Sequence, residues 1–197
     1  RDRVLGIAEQ LFRQSGVQAV SVDAIAQAAG IKKMTLYRCF PCKEELVMAC
    51  MDLWERIPRR LWERAREEFP DEPGRQLLAF SRLVCDIVSQ PDYTGNICIH
   101  LMTDYTAPDH PICVRVRELR AEMRAHVRTL AQQAEASDPD QLADAYCLML
   151  EGMLIACRTY GCDSGPVRNA TAVVEKFLRQ NCGPRAFPPE PRRFRRW

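Results

Sequence analysis

Between Ile31 and Lys43 the chain carries Lys32, Lys33, Arg38 and Lys43 and no acidic residue, with the hydroxyls of Thr35 and Tyr37 interleaved. Ammonium, guanidinium and hydroxyl donors at this density suit phosphate oxygens and base edges, so contact with a nucleic acid is the chemistry that this stretch offers. Catalysis has no comparable signal. The chain lacks a glycine-rich phosphate loop, a Glu-x-x-His pair and any nucleophile–base motif, which weakens the rival reading of an all-helical enzyme or cofactor-binding protein. No catalytic residue and no cofactor are expected.

The apolar residues around these donors repeat at helical spacing. Val22, Ile25, Ala26 and Ala29 share one face, and Leu36 and Phe40 lie one turn apart on a second segment. Ser21 stands where an N-cap acceptor belongs, Gly30 where a sharp turn needs a residue without Cβ, and Pro41 where a helix must stop. Helix, turn and helix follow. An earlier stripe of Val4, Ile7, Ala8, Leu11 and Phe12, closed by Gly16, predicts a first helix and completes a three-helix head.

Read together, the serine–valine start, Ile25-Ala26-x-x-Ala29-Gly30-Ile31, Thr35-Leu36-Tyr37-x-x-Phe40 and Lys43-Glu44-Glu45-Leu46 closely resemble the signature of the tetracycline-repressor (TetR) family of bacterial transcription regulators. The resemblance implies that Tyr37 and Lys43 hold the DNA backbone, that Thr35 contacts phosphate or base, and that Lys33, Met34 and Arg38 face base edges. Ser21 and Lys32 complete the expected DNA-binding set. Lys32, Met34, Cys39 and Cys42 depart from the residue types common at those places, which bears on base preference. Further along, Gly95, Leu101 and Asp104, followed by Pro108-Asp109-His110-Pro111, resemble a TetR/AcrR subgroup with multidrug-type or small-molecule effectors.

With 197 residues and 47% hydrophobic side chains, the chain is long enough to bury a core. A net charge of +2 hides segregation: residues 1–43 sum to +4 and residues 185–197 to +4, leaving −6 for the 141 between. A basic head on an acidic body fits a protein that presents one end to a polyanion. No apolar run approaches the ~20 residues of a membrane span. A cytoplasmic location without membrane partners is expected.

Ten cysteines are many for such a chain. Cys50, Cys85, Cys98, Cys113, Cys147 and Cys157 fall in apolar stripes and are expected as buried free thiols. Cys39 and Cys42 form a lone C-x-x-C without the partners a zinc site requires, so no metal is expected. Their position beside Lys43 and a helix start suggests a second reading, a thiol that senses oxidants or electrophiles. Cys42 is also the expected N-cap of the next helix.

The expected architecture is all-α. A helix-turn-helix domain spans 1–46, a helical effector-binding and dimerisation body 47–183, and a basic tail 184–197. Leu46 to Ala65 predicts one long linking helix kinked at Pro58. Further helices are expected over Arg75–Ser89, Gly95–Tyr105, Ile112–Leu130, from Pro139, and over Pro166–Arg179. The helix from Pro139 is apolar nearly all round, so it requires cover on both sides. Leu148, Gly152, Ile155, Val173, Val174 and Phe177 are the expected homodimer interface. Trp54, Phe80, His100, Met102, Tyr105, Met123, Met149 and Met153 are nominated for an effector pocket, because the resemblance places their helices around a cavity and their side chains suit flat apolar ligands. The function expected is that of a ligand-responsive homodimeric repressor on a palindromic operator, with the cysteine sensor as alternative.

Overall fold

The computed structural model describes residues 1–187. Most of the expected basic tail, Arg192 to Trp197 included, lies outside them. The described residues form an all-α protein of ten helices: α1 (Asp2–Ser15), α2 (Val22–Ala28), α3 (Lys33–Cys39), α4 (Lys43–Trp54), α5 (Arg56–Glu68), α6 (Pro73–Val88), α7 (Ile97–Asp104), α8 (Pro111–Gln133), α9 (Pro139–Tyr160) and α10 (Gly165–Asn181). None is long and apolar enough to cross a membrane.

The single linking helix expected from Leu46 onward is two helices, α4 and α5, separated at Glu55. Pro58 lacks an N–H and its ring opposes the carbonyl four residues back, that of Trp54, so the helix ends there and restarts instead of kinking. Pro58 is tolerated in the first turn of α5, where an N–H would have no partner.

Two compact units result. One comprises Arg1–Arg60 and Gln90–Glu122, the other Leu61–Ser89 and the residues from Met123 onward. The first packs α1 to α4 around Phe12, Ile25, Leu36, Phe40, Leu46, Val47 and Cys50, and adds Leu101 of α7 and Ile112 and Val116 of α8. The head therefore shares its core with residues beyond 46. Arg115 of α8 is ion-paired to Glu55 at 3.1 Å, and both are largely covered, which distinguishes this pair from the exposed arginine pairs of the same helix.

In the second unit α6, α9 and α10 pack on one another. Asp138 caps α9 by accepting from the Gln141 amide at 2.9 Å, ahead of Pro139 in the first turn. Tyr146 is fully buried; its hydroxyl donates to the Leu77 carbonyl at 2.7 Å and accepts from Ser81 Oγ at 2.8 Å. Desolvation raises its pKa, so it remains a neutral donor. Cys157 corrects an expectation: it is bonded to Cys162 rather than free. Cys50, by contrast, is a buried thiol pushed up to about 12 by desolvation.

Tyr146→Phe removes one buried hydrogen bond to the Leu77 carbonyl, which keeps Ser81 Oγ as a donor at 3.1 Å. A loss of about 0.5–1.5 kcal/mol is expected, read as a lower midpoint in thermal unfolding followed by circular dichroism.

Candidate nucleic-acid interface

Both ends of α2 are closed by identifiable bonds. Ser21 Oγ accepts from the Ala24 amide at 3.1 Å and starts α2. At its end the Gly30 amide donates to the Gln27 carbonyl and the Ile31 amide to the Ala26 carbonyl, both at 3.0 Å, with Gly30 at φ +64°. This pair of bonds around a left-handed residue is a Schellman closure. The glycine is required by its φ rather than by space, since a Cβ there would meet only Arg3 Nη2 at 3.7 Å.

The next helix, α3, has seven residues, and Leu36 inside it and Phe40 at its C-cap are each 1% exposed. These two anchors turn the remaining residues outward. Lys32, Lys33, Met34, Thr35, Tyr37 and Arg38 are all exposed, and Met34 is 70% so. A helix face that leaves a large thioether in water and surrounds it with cations is poorly suited to packing within its own chain. Lys43, in the first turn of α4, is half-buried; desolvation lowers its pKa against the opposing pull of Glu44 and Asp104. Ser21 is itself exposed, so its cap leaves it at the surface.

Lys33 is not simply a free cation. Its Nζ lies 2.9 Å from the Asp23 carboxylate on α2, whose hydrogen bond and charge hold the ammonium above its ordinary pKa. Asp23 escaped the sequence reading, because its link to Lys33 crosses ten positions and two helices. Arg1 also escaped it. Its guanidinium sits 5.0 Å from the Phe40 ring centroid and adds a cation beside the end of α3.

The sequence profile described as "Bacterial regulatory proteins, tetR family" matches residues 4–50, the stretch that builds this face. SCO4454, a TetR-family transcriptional regulator from Streptomyces coelicolor, superimposes with a TM-score of 0.83 at 27% identity, covering 92% of this chain and 89% of that one.

The chain carries a TetR-family head at residues 4–50.

Among other relatives, the HTH-type transcriptional regulator YjdC of Escherichia coli (strain K12) is 27% identical over 78% of this chain and 81% of its own. An HTH-type regulator of Mycobacterium tuberculosis (strain H37Rv) is 38% identical over 79 residues, 39% of this chain and 38% of that protein's length.

The other nominated residues are divided between the units. Trp54 is buried and donates from Nε1 to Glu9 Oε1 at 3.0 Å, tying α4 to α1. Tyr105 stacks on His110 with centroids 4.5 Å apart, His100 is half-buried and Met102 exposed. In the second unit Phe80 stacks on Trp62 at 3.8 Å, with His126 edge-on to Trp62 at 4.6 Å; Met153 is buried, and Met123 and Met149 are half-buried. An open cleft of about 630 Å³ in this unit is lined by Arg66, Pro70, Asp71, Pro73, Gln76, His126, Thr129, Leu130 and Gln133, none of them nominated. Burial and the nearby Arg66 keep His126 below its ordinary pKa.

On α9, Leu148 is 72% exposed and Ile155 and Gly152 share its exposed side, as does Val173 of α10 in its own helix; Phe177 is half-buried. Val174 is 1% exposed and belongs to the core of its own chain. Cys42 is exposed at the N-cap of α4 without a side-chain capping bond, and Cys39 is half-buried. Among the described residues no group of three His, Cys, Asp or Glu is placed to hold a metal ion.

Asp23→Asn releases Lys33 to phosphate. The variant is expected to bind non-cognate duplex more tightly, with the slope of log affinity against log salt steeper by about 0.9, the increment for one further phosphate contact. Fluorescence anisotropy at several salt concentrations measures both.

Proposed function

We propose that the chain is a transcriptional regulator, most simply a repressor and not an enzyme, that binds a palindromic operator in double-stranded DNA as a homodimer. The observation that carries this reading is the exposed cationic face of α3, with Met34 at its middle, held outward by Leu36 and Phe40. Two such helices enter successive major grooves when they lie about 34–36 Å apart. Lys43 and Tyr37 supply affinity that is largely independent of sequence, with Lys33 once it leaves Asp23, while Arg38, Met34 and Thr35 discriminate between bases. A methionine suits the methyl group of thymine. A cytoplasmic location goes with the same reading.

Binding to fragmented genomic DNA followed by sequencing tests it. A shared palindrome that survives raised salt is expected, with Tyr37→Ala weakening operator binding about tenfold, or ~1.4 kcal/mol. Binding erased by salt, with no common sequence, would reduce the head to a non-specific cation patch.

The exposed side chains of Leu148, Ile155 and Val173, with Gly152 open to a close approach, support a second copy of the chain as the cover of α9 and α10. Leu148→Glu combined with Val173→Glu is expected to give a folded monomer in sedimentation equilibrium and to lose operator affinity. A dimer that persists in this variant would place the interface elsewhere.

A small apolar or aromatic effector completes the proposal. It releases DNA only by binding the DNA-incompetent arrangement more tightly. Within one unit, the Trp62, Phe80 and His126 group and the cleft that His126 lines offer an aromatic surface with a polar edge, and Phe80 is among the residues nominated from the sequence.

A further inference from the structure

The turn that closes α9 brings two sulfur atoms together by backbone bonds alone. The Gly161 amide donates to the Cys157 carbonyl at 2.8 Å and the Ser164 amide to the Gly161 carbonyl at 3.0 Å, which sets the Cα atoms of Cys157 and Cys162 4.4 Å apart. That separation lies within the range a disulfide spans. The two are bonded in the structure, Cys157 buried and Cys162 partly open to solvent. Because the bridge joins residues only five positions apart, it removes little chain entropy, and stapling the fold is a minor part of what it does.

Cys162 has a second neighbour. Its Sγ lies 3.9 Å from the carbonyl oxygen of Val88, the last residue of α6. Carbonyls in a final helical turn lack intrahelical donors and accept from whatever donor is near. A sulfur bonded to sulfur has no proton to give, whereas a thiol does. Cys162 therefore has two exclusive partners: a covalent one on α9, or a hydrogen-bonded one on α6. Cys85, one turn earlier on α6, donates to the Val167 carbonyl of α10 at 3.7 Å and keeps the helices adjacent in either case.

We propose that Cys157 and Cys162 form a reversible thiol–disulfide couple, oxidised by small hydroperoxides, that transfers the α9–α10 corner from a tether on α6 to a tether on α9. The thiolate of Cys162 attacks one oxygen of the hydroperoxide; an S–O bond forms, the O–O bond breaks, and the alcohol, or water from hydrogen peroxide, leaves after taking up a proton. Cys157 then gives its proton to solvent and attacks the sulfenyl sulfur, forming the S–S bond and expelling hydroxide, which is protonated to water. Two thiols lose two electrons and the peroxide gains them. Neither Cys50, pushed up to about 12, nor Cys182, pushed up to about 11, competes, since burial keeps both as thiols. The corner joins the two helices whose exposed apolar residues form the proposed self-association face, so its tether bears on assembly.

The test uses the full chain, reduced with dithiothreitol, desalted and treated with one equivalent of hydrogen peroxide, followed by alkylation and peptide mass mapping. A Cys157–Cys162 linked peptide is expected, returned to two thiols by dithiothreitol while circular dichroism stays native. The Cys39→Ser/Cys42→Ser variant should behave identically, which separates this couple from the C-x-x-C pair of the head. Cys162→Ser retains a donor for Val88 and should unfold like the reduced chain, with peroxide consumption reduced to background. Two thiols still open to alkylation after peroxide would overturn the proposal. So would a bridge that dithiothreitol leaves intact in the folded chain, which would be a static link.

Discussion

A helix of seven residues does not hold itself together in water, because the cost of its first turn exceeds what so few bonds return. The outward face of α3 exists only because Leu36 and Phe40 are pressed into the core shared by α1, α2 and α4. Burying such side chains is worth about 1.5–3 kcal/mol each. Every cation on the opposite side takes its direction from that attachment. The same core continues into Leu101, Ile112 and Val116, so the support beneath the basic face is built from distant parts of the chain as well as from the head.

Charge is arranged to leave this face available without leaving it wholly unopposed. Two acidic residues of the first unit are engaged away from α3: Glu9 with Arg13 and Trp54, and Glu55 with Arg59 and Arg115. Asp23 differs from these two, because it holds Lys33 beside the interface. An exposed pair of this kind adds little to stability. Its effect is on partners, since a polyanion must compete with a carboxylate for that ammonium.

Much of this was legible in the residues. Ser21, Gly30, Leu36 and Phe40 each act through local geometry, a cap, a positive φ and two positions one turn apart, and local geometry is what spacing records. The helix order from α6 to α10 followed from apolar periodicity for the same reason. The misses arose where the outcome depends on contacts between distant segments. Periodicity places Val173 and Val174 on a helix but does not say which one faces inward. Pro58 announces a disturbance without choosing between a bend and a break. The Lys33–Asp23 pair and the cleft beside His126 combine polar side chains from separate helices, and neither leaves a pattern in one. The bond between Cys157 and Cys162 depends on the turn at Gly161, which periodicity in the flanking helices does not describe.

The closure between α2 and α3 is made by main-chain groups, the amides of Gly30 and Ile31 meeting the carbonyls of Gln27 and Ala26. Main-chain bonds are indifferent to the side chains that follow them, provided residue 30 can hold a left-handed φ. The outward residues of α3 can consequently be exchanged as a set, by evolution or by design, without disturbing the angle at which they are presented. Divergence of target among related chains then requires only rewriting those surface letters, with Leu36, Phe40 and the glycine left in place.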